Sequence, residues 1–462
     1  MRSALAGLSI ALAPFSSNAE TSIIPVDAAR AGLRAALAEG RPDHAWHLAQ
    51  GLIRALPGDY AGHAGLAQAE LQLARPAAAR MAARAAHASA RNPVQRYEAA
   101  LLLAQAHEAT GGMGAPVLAQ YWSRRAYALA PEGVYRQAAA GEVQRIRRDS
   151  RLSLRLDLTV APSDNVNNGT RASVIDFFGL PMQISPQSRA LSGWIGQAAL
   201  AGRWRLAQGA ASATHLRFAA VHREVRLSAS ALASLEQWRR DQAALGATVV
   251  PQTDYDFSAL EFGLTHRGQW GKVTGDLGVT VGHNWFAGAD LTDYLRFDLS
   301  AERPVAARTA LFGGVALERQ WRHDSALRDA DQITLQGGVM HRLSSGDRLR
   351  LTLGARDVSA RSVDVAHRAL SARFGWEKAA PVAGIRLSAG LNAERRRHAA
   401  SLLAPAGRRD LRLAADLSLT FERMDVMGFA PSLDLSATRT RSNQPVHDGR
   451  DLGLTLGFRS VF

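Results

Sequence analysis

The stretch RLSLRLDLTVAPSDNVNNGT, residues 151–170, decides the fold of this chain. A leucine or valine occupies every second position from Leu152 to Val160, and polar residues occupy the positions between them. Because successive side chains of a strand point to opposite faces, this segment predicts a strand with one apolar and one charged face. We expect the strand to end at Pro162, and the loop that follows contains the turn-forming residues Asp164, Asn165, Asn167, Asn168 and Gly169.

The same alternation recurs from residue 193 onward. It predicts fourteen strands, at 152–160, 193–206, 212–222, 255–266, 272–285, 293–302, 309–321, 331–343, 348–358, 367–377, 384–394, 410–421, 431–440 and 451–462. Segments of about ten alternating residues separated by turns are typical of outer-membrane β-barrels. Short turns alternate with longer connections at 161–192, 223–254, 322–330 and 395–409, which fits periplasmic turns and outside loops. A soluble β-sandwich with an apolar core is the alternative.

The last predicted strand, DLGLTLGFRSVF, carries apolar residues on one face up to a terminal aromatic residue. We interpret Leu456, Phe458 and Phe462 as an assembly signal, with the barrel-assembly machinery as the partner that reads it. An ordinary edge strand is the alternative, although an exposed apolar edge would make a soluble protein prone to aggregation.

Residues 1–19 combine one early arginine with an apolar stretch and small residues before Ala19, which predicts a secretory signal peptide. A buried first helix is the alternative. No later segment offers ~18 consecutive apolar residues, so no transmembrane helix is predicted. The absence of cysteine fits a Gram-negative envelope protein. In an exported chain, the net charge of +14 indicates outer-membrane lipid or an acidic cargo as partner, and no nucleic acid.

Residues 27–148 have the Ala-, Leu-, Arg- and Gln-rich composition of helices, which predicts a helical domain over residues 20–150. Pro57, Pro93 and Pro131 recur at intervals of 36 and 38 residues, and each is expected to close a helix. This period predicts about three tetratricopeptide-like helix pairs, with the small residues Ala45, Ala49, Ala119 and Ala126 at close helix contacts. A generic helical bundle is the alternative, because the Trp-Leu-Gly-Tyr part of the repeat signature is poorly matched. A basic linker around residues 143–151 is expected to join this periplasmic domain to the barrel, residues 151–462.

The charged face of the predicted strands is rich in arginine. It contains Arg155, Arg203, Arg205, Arg296, Arg348, Arg350, Arg373, Arg386 and Arg412, interleaved with acidic residues. Such a face suits the water-filled lumen of a barrel. The sequence has no phosphate-binding loop, no Ser-His-Asp arrangement and scattered histidines, so we predict no enzyme activity, no cofactor and no metal site.

The junction RIRRDSRLSLRLDLTVAPSDNVNNGT resembles the surface lipoprotein assembly modulator family, Slam. In that family a tetratricopeptide-type periplasmic domain leads into the first barrel strand, and an Ala-Pro-x-x-Asn-x-Asn motif follows. The matching residues here are Ala161, Pro162, Asn165 and Asn167. The resemblance implies a tetratricopeptide-like domain followed by an all-β transmembrane barrel of about fourteen antiparallel strands in the Gram-negative outer membrane.

The resemblance also implies a function, namely export or surface display of a cargo protein. The cargo would be a surface lipoprotein or a related secreted protein, often one that binds host iron or haem carriers, with a periplasmic chaperone as escort. We expect the loop from Pro162 to Gly169 to shape the lumen or to touch the cargo. The alternatives are a polysaccharide-export porin with periplasmic helical repeats, a diffusion porin, and an outer-membrane esterase or protease.

Overall fold

A computed structural model describes residues 24–112, 114–177, 180–400 and 404–461. The predicted signal peptide and Phe462 lie outside these residues. Seven helices precede the first strand of the described chain, namely α1 (Val26–Ala38), α2 (Pro42–Ala55), α3 (Tyr60–Gln72), α4 (Pro76–Ser89), α5 (Pro93–Thr110), α6 (Ala115–Leu129) and α7 (Val134–Asp149). None of the described helices combines the length and the apolarity that crossing a membrane requires.

Helices α1 to α5 belong to the first compact unit, which ends at Gly111. Each helix contacts the next, and α3 also contacts α1 and α5, so the helices stack as successive antiparallel pairs. Alanines fill most of the interior, and Ala45 and Ala49 are fully buried there. Pro93 opens α5 as its first residue, and so does not close a helix as predicted, because a proline at that position lacks only an N–H that would be unpaired anyway.

Polar contacts between side chains join helices of this first unit. Trp46 donates to Glu70 at 2.7 Å, and Tyr60 donates to Glu98 at 2.9 Å. Burial and the nearby Glu98 raise the pKa of Tyr60. Burial, aided by neighbouring arginines, lowers the pKa of His107, so this imidazole is held in its neutral form.

Helices α6 and α7 form one compact unit with the strands, because the boundary between the two units falls at Gly111 and Gly112. The prediction of a linker around residues 143–151 is therefore wrong. Residues up to Asp149 are the last turns of α7, and Val143 and Ile146 are each 1% exposed, at the i, i+3 spacing of a packed helix face. The change from helix to strand nevertheless comes between Asp149 and Leu152, as the composition predicts.

Fourteen strands close into an antiparallel barrel, which confirms the predicted fold class. They are β1 (Leu152–Ser163), β4 (Gly193–Gln208), β5 (Ser212–Leu227), β6 (Phe257–Trp270), β7 (Val273–Phe286), β8 (Ala289–Ala306), β9 (Thr309–Arg322), β10 (Ala330–Arg342), β11 (Arg348–Ala360), β12 (His367–Glu377), β13 (Ile385–His398), β14 (Arg409–Phe421), β15 (Phe429–Ser442) and β16 (Gly449–Ser460). Every strand pairs with its neighbour along the chain, and β1 pairs with both β4 and β16.

The outer surface of the barrel is apolar and carries a tryptophan girdle at each end. The ladder register places the alternating leucines of β1 and the leucines and phenylalanines of the other strands on this face, where many are about half exposed. Trp194, Trp285 and Trp321 lie at one end of that face, and Trp204, Trp270 and Trp376 lie at the other. Along β4 the girdles are ten residues apart, or about 25 Å across a membrane for a strand tilted by roughly 40°. This is the surface of an outer-membrane barrel.

The two ends of the barrel differ in their connections. At the end where α6 and α7 lie, called the helix end here, short turns join the strands, for example at residues 209–211, 271–272 and 307–308. The opposite end, called the loop end, carries both of the longest connections, residues 164–192 and 228–256. These loops contain elements that the sequence did not predict, namely a hairpin of β2 (Val174–Phe177) and β3 (Leu180–Gln183), and α8 (Ala229–Ala244).

Candidate functional site

Strand β1 is held very differently along its two edges. It pairs with β4 over twelve consecutive positions, from Leu152 to Ser163. With β16 it shares only three pairs, Leu158 with Phe458, Thr159 with Gly457, and Val160 with Leu456. We call this ladder between β1 and β16 the seam, because it closes the barrel. It is the shortest ladder among the described strands of the barrel.

Pro162 explains one limit of this seam. It is the second-last residue of β1 and does not end the strand, contrary to the prediction, and it faces Trp194 of β4 in the ladder. Proline can occupy a strand where no ladder bond is required of its nitrogen, and the pairing with β16 has already stopped at Val160. At the other limit, Phe458, β16 continues for two residues to Ser460, and these residues pair with β15 but not with β1.

Helix α6 bridges the seam at the helix end. Gln120 donates to the backbone oxygen of Leu152 in β1 at 2.6 Å. One turn further on, Arg124 donates to Ser460 of β16 at 2.8 Å and to the backbone oxygens of Met427 and Gly428 at 3.1 and 3.2 Å. The same helix therefore binds both strands of the seam, and we call this set of contacts the helix clamp.

Further contacts hold the helix clamp in place. The guanidinium of Arg124 lies 4.6 Å from the centre of the Phe429 ring, and burial lowers its pKa to about 10, with the nearby Arg147 as a second cause. Tyr127 and Arg136 both donate to Asp425, whose side chain is 5% exposed, at 3.2 and 3.3 Å. Buried charge-assisted bonds of this kind are among the stronger polar contacts in proteins.

Residues of the loop 164–192 bridge the seam at the loop end. Asp164, the first residue after β1, forms an ion pair with Arg171. Arg171 in turn donates to the backbone oxygen of Arg450 in β16 at 3.0 Å. We call this pair of contacts the loop clamp, and it lies beyond the point where the ladder between β1 and β16 ends.

The asparagines that follow β1 build an ordered loop. Asn165 forms a pair of hydrogen bonds with Gly169, at 2.9 and 2.7 Å. Asn167 donates to the backbone oxygens of Gln187 and Arg189 and accepts from the backbone nitrogen of Leu191, at 3.0, 2.8 and 3.0 Å. The asparagine amides thus satisfy backbone groups at both ends of the loop, which is why the loop returns to β4 in a fixed path.

Asn168 and Gly169 are residue types that suit the backbone geometry of this turn. Asn168 adopts a positive φ of 52°, a conformation that asparagine tolerates better than most residues. Gly169 packs so closely against the backbone of Arg189 and Ala190 that a Cβ atom would overlap it. The conformation of the loop therefore depends on these two residue types.

The two longest loops pack together in an apolar cluster that we call the cap. Its buried members are Val166, Leu191, Val225, Ala231, Leu235 and Tyr255. Val225 belongs to the polar, inner face of β5 by register, and Ile195 and Phe286 of the same inner face pack against the cluster. The cap therefore lies against the inner wall at the loop end of the barrel. Burial raises the pKa of Tyr255.

The nine arginines of the predicted charged face all lie on the inner face by ladder register; they are Arg155, Arg203, Arg205, Arg296, Arg348, Arg350, Arg373, Arg386 and Arg412. Several are paired with acidic residues, for example Arg348 with Glu377 at 2.6 Å and Arg373 with Asp416 at 2.8 Å. Arg350 instead lies 4.1 Å from the centre of the Phe312 ring. The inner surface therefore mixes both charge signs and is suited to contain water.

Two cavities open onto this inner surface. One of about 530 Å³ lies at the helix end of the seam, where Arg124 and Arg147 face Arg155, Asp157 and Arg459. The other, of about 670 Å³, has lining side chains that include Arg308, Arg342, Arg348, Arg350 and Arg373, with Glu302, Glu377 and Asp416 as the acidic members. Basic groups outnumber acidic ones in this second cavity.

Two of the three residues interpreted as an assembly signal, Leu456 and Phe458, lie in the seam, and Phe462 lies outside the described residues. Leu456 and Phe458 face outward, are about half exposed, and pair with Val160 and Leu158 of β1. The sequence did not reveal Arg124, Arg171 or α8 as parts of this site. Only α8 carries a local signal, since Ser228 accepts a capping bond from the backbone nitrogen of Ala231 at 3.1 Å.

Comparisons with known proteins give distant likenesses in fold. No protein-family model and no curated protein sequence matches the chain. A solved structure of OccAB3 from Acinetobacter baumannii aligns over 67% of this chain and 99% of its own, with 10% identity and a TM-score of 0.35. A BenF-like porin from Pseudomonas fluorescens Pf-5 aligns over 67% and 99%, with 9% identity and a TM-score of 0.34. A bacterial polysaccharide outer membrane secretin aligns over 68% of this chain and 100% of its own, with 8% identity and a TM-score of 0.33.

Proposed function

We propose that this protein is an outer-membrane translocator that exports or displays a cargo protein, as in the Slam family that its junction resembles. The observation that carries the proposal is the helix clamp, which makes α6 and α7 part of the barrel unit at its helix end. A pore for free diffusion needs no such helices. The barrel is instead joined through Gly111 and Gly112 to a stack of helix pairs, the kind of element that offers a binding surface.

The short seam supports a lipidated cargo in particular. A polar lumen disfavours a lipid anchor, because each buried methylene of an acyl chain is stabilised by about 0.8 kcal/mol in the membrane. An acyl chain therefore needs a lateral path between lumen and lipid, and the easiest path is through the ladder with the fewest pairs. That ladder is the one between β1 and β16, beside the helix clamp.

A comparison of surface proteins tests the export function. We would compare, by mass spectrometry of protease-released peptides, Gram-negative cells that lack the protein, carry it, or carry it without residues 24–111. The deletion stops at residue 111 because α6 and α7 hold the seam. We expect one or a few surface proteins to depend on the full chain and to fall several-fold in the deletion, at equal inserted barrel. An unchanged set of surface proteins would refute the proposal.

Cysteine pairs test the lateral path, since the chain has no cysteine of its own. Leu158 faces Phe458 across the seam and Ala198 across the long ladder, so L158C/F458C and L158C/A198C share one cysteine. We expect oxidation of the seam pair, but not of the control pair, to reduce display of a lipidated cargo. Equal display in both would leave the lumen as the route.

Export of an acidic polysaccharide is the second candidate function, and the cavity of about 670 Å³ with its excess of arginines favours it. An anionic polymer would bind such a basic surface through several charges at once. Surface polysaccharide measured in the same cells separates the two candidates. A polymer that disappears with the protein, while surface proteins stay constant, would favour the polysaccharide.

A further inference from the structure

Two histidines and an aspartate meet on the outer face at the loop end of the barrel. His283 of β7 lies directly opposite Asp293 of β8 in the ladder, and His323 follows the last residue of β9. Ring nitrogens of both histidines and a carboxylate oxygen of Asp293 all lie within 4.8 Å of one another. The sequence suggested scattered histidines, because the fold and not the chain order brings these residues together.

The ladder holds the three side chains in fixed positions. A bulge between Asn284 and Trp285 shifts the register, so that Asp290 also lies on the outer face, near His283. The backbone nitrogen of His323 donates to Leu291 at 3.1 Å, which fixes the start of the loop 323–329 beside β8. The ring centres of Trp285 and His283 lie 4.1 Å apart, so the two rings pack against each other.

The contacts within this cluster bring three ring nitrogens against carboxylates. His283 contacts Asp293 at 2.6 Å through Nδ1 and Asp290 at 3.1 Å through Nε2. His323 Nε2 contacts the other oxygen of Asp293 at 2.8 Å. A neutral imidazole has one N–H and one lone pair, whereas a carboxylate only accepts. With neutral rings, His283 would therefore turn a lone pair toward a carboxylate oxygen.

The surroundings of the cluster leave its negative charge in place. Asp290 and Asp293 supply two carboxylates. Arg319, the next outward residue of β9 after Trp321, forms an ion pair of its own with Asp331 at 2.6 Å. A cation placed between the lone pairs and the carboxylates would remove the repulsion and neutralise the cluster.

We propose that His283, Asp293 and His323 bind a divalent transition-metal ion of the zinc class at the outer rim of the barrel. Ligand atoms within 4.8 Å of one another have a common centre about 2.8 Å from each, so shifts of about 0.7 Å reach the ~2.0–2.2 Å of zinc bonds. Two imidazoles with one carboxylate suit zinc better than calcium or magnesium, which prefer oxygen ligands. Water would complete the tetrahedron, and Asp290, which contacts Nε2 of His283 at 3.1 Å, would accept the N–H of that ring and orient it.

The bound ion would join the end of the hairpin of β7 and β8 to the loop after β9. The cluster lies beside the outer girdle residues Trp285 and Trp321, so the ion would arrive from the medium at the loop end. The ion would cross-link these two elements on the outer face of the barrel, several strands away from the seam.

Zinc titration of the tag-free, full-length protein in detergent tests the site. A chromophoric chelator competes for the ion, and the protein is first stripped of metal. We expect one equivalent of zinc at micromolar affinity or tighter, and no competition by calcium. H283A and H323A should each weaken binding by at least tenfold, and D293N should do so while keeping the shape of the carboxylate.

His341 gives a matched control. It also faces outward, from β10, where it contacts Thr309 at 2.9 Å and has no part in the cluster. H341A should bind zinc as the unchanged protein does, and a heat-dependent gel shift should show that all variants are folded. Absence of zinc binding, equal loss in H341A, or full binding by H283A/H323A would each overturn the proposal.

Discussion

The backbone along the two edges of β1 is held to the neighbouring strands in different ways. Toward β4, twelve ladder pairs satisfy the backbone without help from side chains. Toward β16, three pairs remain, and the helix clamp and the loop clamp bind the two strands beyond them. Since lipid offers no partner to a free strand edge, a short ladder is tolerated only where other protein groups or water meet the exposed backbone. The polar cavity beside the seam provides such surroundings.

This difference gives the loop motif and the helices a shared structural role. Asp164 and the asparagines after it start the segment that reaches β16 through Arg171, and α6 reaches it through Arg124. A barrel closed partly by side chains can be loosened by changes that leave every other ladder intact. The predictions below test this contrast between the seam and the long ladder.

Removal of the aromatic residues at the end of the chain should have the largest effect. F458A/F462A removes the aromatic ring that faces Leu158 in one of the three seam pairs, and also the aromatic ring of Phe462. We expect several-fold less heat-modifiable barrel in outer-membrane fractions. L454A is the control, because Leu454 pairs with Leu435 of β15 and lies outside the seam register. Normal insertion of the double mutant would show that the two aromatic side chains are dispensable for assembly.

Loss of the helix clamp should come next. R124A removes a guanidinium that donates three hydrogen bonds to the turn before β15 and to β16, at a cost of about 2–4 kcal/mol. The heat-modification midpoint should fall, and R124K should recover only part of it, because lysine lacks the planar fork. The neighbouring Arg125 is exposed, so R125A is the control. Equal midpoints for R124A and R125A would mean that α6 does not support the seam.

Oxidised cysteine pairs at Leu158 should compare the two edges directly. L158C/F458C closes a loop of about 300 residues and L158C/A198C one of about 40, so chain entropy alone favours the first by about 2 kcal/mol. A seam that opens before the long ladder should add to this difference. The midpoints of oxidised and reduced protein measure the gain. Equal gains for both pairs would contradict a weak seam.

The sequence could predict the strands but not how they close. Alternation with period two is a local property, and each of the fourteen predicted strands lies within a few residues of an observed one. The number of pairs between β1 and β16 depends on the register across the whole barrel, and no local sequence pattern determines that register. For the same reason Arg124, one basic residue among several on α6, gave no sign of its contact with Ser460.

Some candidate sites could likewise be predicted from local sequence, and others could not. Turn chemistry singled out Asn165, Asn167 and Gly169 because asparagine and glycine are local signals, and the structure places all three in one hydrogen-bond network. The meeting of His283 with His323 depends on three strands and a bulge. A linker was expected at residues 143–151 because the stretch is basic, whereas burial of Val143 and Ile146 makes it a packed helix.

Loss of the loop clamp should have the smallest effect. Arg171 and Asp164 are partly exposed, and exposed ion pairs contribute about 1 kcal/mol or less, so R171A should lower the midpoint only slightly. The control is R226A, which breaks the exposed pair of Arg226 with Glu224 on β5, a strand with long ladders on both sides. R171A should act more strongly than R226A, since only Arg171 also binds the backbone of β16. Combined with R124A, it should cost more than the sum of the two changes, because each clamp limits how far the seam opens when the other is lost. Strict additivity would mean that the two clamps act on independent parts of the barrel.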